Sequence, residues 1–118
     1  MHRIWKAFQY SLGGLIATYK SEPAFRQELV LAIFLIPGAF FLGADIPTVS
    51  ILITAVLLVL ITELANTALE ALADETTTEI RPLIKKAKDA GSAMVFVAII
   101  NVIVVWGLVI LCRVEITC

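Results

Sequence analysis

Four polar side chains interrupt the most apolar part of this sequence, and their spacing suits chemistry. They lie in the run ELANTALEALAD, as Glu63, Asn66, Glu70 and Asp74. At about 100° per residue they fall within roughly 60–80° of one another on a single helix face, in a stripe about 16 Å long. Ala65, Ala68, Leu69, Leu72 and Ala73 fill the remaining faces, and the run SILITAVLLVLIT comes immediately before. A carboxylate at mid-bilayer costs about 2.5–3.5 kcal/mol even on the lenient insertion scale. Glu63 and Glu70 share a face about 10 Å apart, and two acids so placed repel unless a cation intervenes. One could hold a divalent ion while the other moves a proton. Mg²⁺ characteristically takes one or two carboxylates together with substrate phosphates. The basic residues Arg81, Lys85, Lys86 and Lys88 follow closely and would meet an anion arriving from the aqueous side. The combination suggests a soluble polyanion, carried with its metal, meeting a lipid at the membrane surface. Plainer readings stand beside it: Asn66 and Thr67 as glue between helices, and the basic loop as a topological signal.

The elements that must position this stripe are membrane helices. The 118 residues are 60% hydrophobic with a mean hydropathy of +0.97, far above a soluble globular chain. Uncharged windows cover 29–44, 46–62 and 90–112. They predict an all-α membrane protein, one domain over 1–118, with spans at about 24–44, 47–74 and 83–112. Residues 2–20 are too polar to span. Ile4, Trp5, Phe8, Leu12, Leu15, Ile16 and Tyr19 recur at helical spacing, which predicts an amphipathic helix in the interface plane. Gly13-Gly14 weakens it, either as a flexible spot or as a place of close approach. Lys20, Glu22 and Arg26 break any signal-peptide core. Ser21-Glu22-Pro23 reads as a helix start with Ser21 as N-cap, and Pro37-Gly38 predicts a kink. Asp45-Ile46-Pro47 forms a tight turn into the second span. Thr76 to Thr78 break that helix and Pro82 starts the next, where Gly91, Ser92 and Ala93 are small enough for close packing.

Arg3, Lys6, Lys20 and Arg26 precede the first span, and the basic loop separates the second from the third. The positive-inside rule therefore places the N-terminus and residues 75–89 in the cytoplasm, and the C-terminus outside. A net charge of -1 carries no nucleic-acid footprint. Cys112 and Cys118 have neither CxxC nor metal-ligand spacing and are read as inert.

None of the usual nucleotide motifs is present, neither a P-loop nor a kinase catalytic loop, so residue patterns alone do not name ATP. Taken together, however, ExxNTAxExxxD at 63–74, AKDAGSAxV at 87–95, SEPAFRQE at 21–28 and RxxKAxxYS at 3–11 resemble the small integral-membrane bacterial diacylglycerol kinase family over nearly the whole chain. The resemblance implies a homotrimer of three-span subunits in the bacterial inner membrane, C-terminus periplasmic, with active sites at subunit interfaces near the cytoplasmic surface. It implies phosphorylation of diacylglycerol to phosphatidic acid by direct transfer from ATP with Mg²⁺. Carried over by position, Glu63 matches the catalytic base, Glu22 and Glu70 the metal-holding carboxylates, and Asn66 a polar supporter at the substrate. Lys88 and Asp89 match nucleotide contacts, with Arg3, Tyr10, Glu79 and Arg81 beside them. Ser11, Glu28 and Ser92 fall at lipid-site positions.

Three rivals are weighed against this reading. A polyprenol kinase of the same architecture would act on undecaprenol, and SEPAFRQE favours the diacylglycerol branch. A small ion-coupled transporter subunit would want polar groups near the midplane and an inverted repeat. A purely structural scaffold leaves the acidic stripe unexplained.

Overall fold

The computed structural model describes residues 1–115. They form four helices in chain order: α1 (His2–Ser21), α2 (Pro23–Leu42), α3 (Ile46–Thr76) and α4 (Pro82–Glu115). The last three are each long and apolar enough to cross a membrane, so the chain is a multi-pass membrane protein with one additional N-terminal helix, as the hydropathy pattern predicts. α3 and α4 have 31 and 34 residues. At 1.5 Å per residue they exceed the roughly 30 Å hydrocarbon layer and carry turns beyond it.

The apolar stripe of α1 has little to pack on within the chain. Ile4, Trp5, Phe8, Leu12, Leu15, Ile16 and Tyr19 all remain exposed, which fits a helix whose partner is the lipid interface. The helix runs unbroken through Gly13-Gly14, and nothing crowds either glycine. Ser21 is not the N-cap of α2. It is the last residue of α1, because the Glu22 amide still donates to Thr18 O at 2.9 Å and Glu22 alone takes the extended turn conformation. Arg26 reaches back from α2 to donate to Tyr19 O and Lys20 O at 2.8 and 3.1 Å. A cation thus satisfies the open carbonyls at the C-terminus of α1. Pro37 lies inside α2 without ending it.

The α2–α3 turn is tight because Gly43 has no side chain. A Cβ there would lie 2.6 Å from Val49 Cγ2 and 3.1 Å from Ala39 O. Immediately beyond it sits the best-packed core, Ala39, Val49 and Leu52, flanked by Leu42, Ile53, Val105, Trp106 and Val109. Trp106 Nε1 donates to Leu52 O at 3.1 Å, tying α4 to α3 with a bond worth about 0.6–2 kcal/mol in a membrane. Cys112, near the same end, is not a free thiol; Cys118 lies outside the described residues.

Asp45 caps α3, its Oδ1 accepting from the Thr48 amide at 2.9 Å. Hydrogen bonds from Thr48, hydroxyl first and backbone amide second, hold the Asp45 carboxyl below its ordinary value. A carboxylate depressed in the folded state stabilises it above the unfolded pKa, and that contribution fades as pH falls through the folded one. Asp45→Ala is therefore expected to lower the thermal midpoint at pH 7. The gap from the parent protein should narrow below about pH 4, as thermal melts in detergent across that range would show.

Candidate active site

The acidic stripe of α3 faces into the bundle. Glu63 and Asn66 are buried, at 7% and 9% exposure, Glu70 is half-buried, and Asp74 is exposed at the end of the helix. Burial arises because α2 and α4 pack on this side of α3. Asn66 Nδ2 donates to Glu70 Oε1 at 3.3 Å, one helical turn on. Across from α3, Glu28 of α2 brings its carboxyl into hydrogen-bonding contact with that of Glu63. Two carboxyl groups in contact need a proton or a cation between them, since neither anion can donate. Glu22, at the start of α2, and Glu70 both lie within electrostatic range of Glu63.

Two buried oxygens here have no hydrogen-bond partner, Glu28 Oε2 and Asn66 Oδ1. An orphaned buried acceptor costs about 1–3 kcal/mol, so both oxygens fit a site completed by a bound donor or cation. The donor set is entirely oxygen, which suits a hard cation. Among the described residues no three or more His, Cys, Asp or Glu gather as a metal cage. A magnesium ion bound chiefly through phosphates would need only one or two carboxylates from the protein.

α4 approaches α3 closely at this level because residue 91 is glycine. Gly91 is buried, and a Cβ there would collide with Asn66 Oδ1 and lie 3.4 Å from Leu69 Cδ1. Of the small trio expected to pack, only Gly91 does so; Ser92 and Ala93 are exposed. Lys88, about one turn earlier, forms an ion pair with Asp74 and lies within electrostatic range of Glu70. Lys85 pairs with Asp89 at 2.7 Å and Arg81 with Glu79 at 3.5 Å. These six residues, with Asp74 counted among them, surround a cavity of about 480 Å³ at the α3–α4 loop.

The structure thus brings the expected residues together in two adjoining groups. Glu22, Glu28, Glu63, Asn66 and Glu70 form a largely acidic group in which Glu63 and Asn66 are buried and the others half-buried. Glu79, Arg81, Lys88 and Asp89 line the loop cavity, and Lys88 links the two groups. Arg3, Tyr10, Ser11 and Ser92 are exposed, and the Ser11 hydroxyl bonds only back to Ala7 O at 2.9 Å. Two residues named from the sequence gain partners that it did not assign: Asp74 of the stripe holds Lys88, and Gly91 of the small trio sets the seat of Asn66. The first pairing could have been suspected from opposite charges flanking a short loop, while the second has no signal beyond a small residue in a membrane helix.

This arrangement offers three loop cations that an anion could draw from their carboxylate partners, and a buried carboxyl at Glu63 that could accept a proton from an alcohol. Comparison with known proteins points the same way. A model of the prokaryotic diacylglycerol kinase family matches residues 9–110. A diacylglycerol kinase of Haemophilus influenzae is 48% identical over 99 residues, covering 84% of each chain. One of Pseudomonas aeruginosa is 43% identical over 111 residues, covering 94% of this chain and 90% of its own. One of Escherichia coli K12 is 43% identical over 104 residues, covering 88% and 85%. With most of both chains aligned and the acidic stripe facing inward, this chain belongs to the prokaryotic diacylglycerol kinase family.

Proposed function

We propose that this chain transfers the γ-phosphoryl group of ATP to the primary hydroxyl of diacylglycerol, giving phosphatidic acid, as a homotrimer in a bacterial inner membrane. The N-terminus and the α3–α4 loop face the cytoplasm, and the C-terminus faces the periplasm. The observation that carries the reading is the Glu63–Glu28–Asn66 group between α2 and α3, with its two orphaned oxygens, next to a cavity at a membrane-helix end that is lined by Arg81, Lys85 and Lys88 together with their carboxylate partners.

Phosphoryl transfer asks a protein for positioning, charge neutralisation and a group to take the hydroxyl proton. Glu63 takes that proton as the lipid oxygen bonds to the γ-phosphorus and the bond to ADP breaks. No phosphoenzyme is formed. Asn66 and Glu28 hold the hydroxyl, with Ser11 and Ser92 along the lipid's path. Lys88 and Asp89 contact the nucleotide, with Arg3, Tyr10, Glu79 and Arg81 around it. Glu22 and Glu70 would hold Mg²⁺, which when bound offsets charge on the phosphates.

The direct test is ATP-dependent phosphorylation of diacylglycerol in mixed micelles by the purified protein. Phosphatidic acid should form with Mg²⁺ and not with chelator. No product from any lipid alcohol would sink the kinase reading, and preference for undecaprenol would move the substrate. Lys88→Met should raise the KM for ATP by roughly tenfold or more, since a charged hydrogen bond is lost. Its KM for lipid should stay put, as initial rates with each substrate varied in turn would show.

A further inference from the structure

One amide side chain inside the uncharged windows is left out of everything above. Asn101 sits in α4, which holds the most apolar window of the three spans. It lies twelve residues from Asp89 on one side and twelve from Arg113 on the other, so it falls midway through the uncharged stretch. Its side chain is exposed and makes no hydrogen bond among the described residues. A primary amide offers two donors and an acceptor. Surrounded by acyl chains it would satisfy none of them, at a cost of several kcal/mol.

Asn101 opens onto a groove of about 290 Å³ that also holds Ser50 and Thr54 of α3. Both hydroxyl residues are exposed and unbonded as well. Thr54 lies nine residues from Asp45 and nine from Glu63, midway through its own uncharged stretch. Polar side chains can turn back onto carbonyls of their own helix, but Asn101 makes no such bond among the described residues. The same exposed side of α3 continues through Leu57, Ile61, Ala65, Ala68 and Leu72. These recur every three or four residues, as a helix–helix seam does.

Lipid tails cannot complete this patch, so its occupant is a membrane helix with polar groups at the same depth. The chain itself carries such groups. Copies related by rotation about the membrane normal keep every residue at its depth, and Asn101 and Thr54 share one. We infer that Asn101 is hydrogen-bonded to the Ser50 and Thr54 hydroxyls of a neighbouring copy of this chain, as a clasp at the middle of the membrane. The inference rests on the oligomeric part of the reading above and adds the contact that holds the copies together.

Subunits carrying Asn101→Cys under one affinity tag and Thr54→Cys under another are co-expressed, purified in detergent and mildly oxidised. Cys112 and Cys118 are left in place, and mixtures with unsubstituted chains give the background. A cross-linked species carrying both tags, above that background, is expected. No such species from an assembly that is trimeric by mass overturns the clasp and leaves the trimer standing. A cross-link found only within a chain bearing both substitutions overturns it too, by placing the bond inside one copy. A monomer overturns the clasp and the oligomeric reading together. Independently, Asn101→Leu should weaken association by about three- to thirty-fold, the range of hydrogen bonds between membrane helices. It should dissociate at lower SDS mole fraction. Equal or greater resistance to SDS overturns the proposal, and a stable assembly of Asn101→Leu also shows that the variant folds.

Discussion

Glu63→Gln is expected to lose between about a hundredfold and ten-thousandfold in turnover, the usual contribution of a positioned general base. The amide keeps the shape of the carboxyl and can still meet Glu28, donating where the carboxylate could not. Packing should therefore survive, since Glu63 is buried between helices and the substitution leaves no cavity. Nucleotide affinity and particle mass should match the parent protein while phosphate transfer collapses. The measurements are initial rate, equilibrium binding of a non-hydrolysable ATP analogue, and mass in detergent. Near-normal turnover would remove Glu63 as the base and shift attention to Glu28, whose carboxyl lies against it.

The second large effect comes from a residue with no chemistry of its own. Gly91→Ala places a methyl group onto Asn66 Oδ1, so either Asn66 leaves its seat or α4 lifts from α3. Overpacking of this kind costs about 1–3 kcal/mol, and a displacement of about 1 Å at a reacting centre can cost 10²-fold in rate. Gly91→Ala should lower both the thermal midpoint and turnover. Adding Asn66→Ala removes the obstructing amide, so the double variant should regain stability without regaining activity, a non-additive result expected of residues in contact. Gly107→Ala is the control. Nothing lies within 4 Å of its added Cβ, and the change should be neutral or mildly stabilising. Equal behaviour of the two glycine variants would show that closeness at Gly91 plays no part.

Much of this architecture was legible in the sequence, because membrane helices announce themselves by length and by the placement of charge. The uncharged windows, Pro23, Asp45-Ile46-Pro47 and Pro82 set the four helices to within a few residues. Ser21 misled because a good N-cap residue says nothing about the helix before it; α1 simply continued through it. The site was half legible. Periodicity put Glu63, Asn66 and Glu70 on one face, but a single helix's pattern cannot say which neighbour that face meets. The approach of Glu28, 35 residues earlier, depends on how α2 is rotated. So does the fit of Asn66 over Gly91, 25 residues later, on how α4 is seated. Both are relations between helices, and only their packing reveals them.

The core of Ala39, Val49 and Leu52, with the Trp106 bond beside it, lies at one end of the bundle, while the ion pairs of Asp74, Lys85 and Lys88 lie at the other. The two extremes of the bundle are consequently fastened by different means, packed side chains and an indole hydrogen bond at one and solvent-exposed ion pairs at the other. Backbone amides near Leu52 should be among the slowest to exchange with deuterium, and those near Asp74 and Pro82 should exchange early, because they lie at exposed helix ends away from that core.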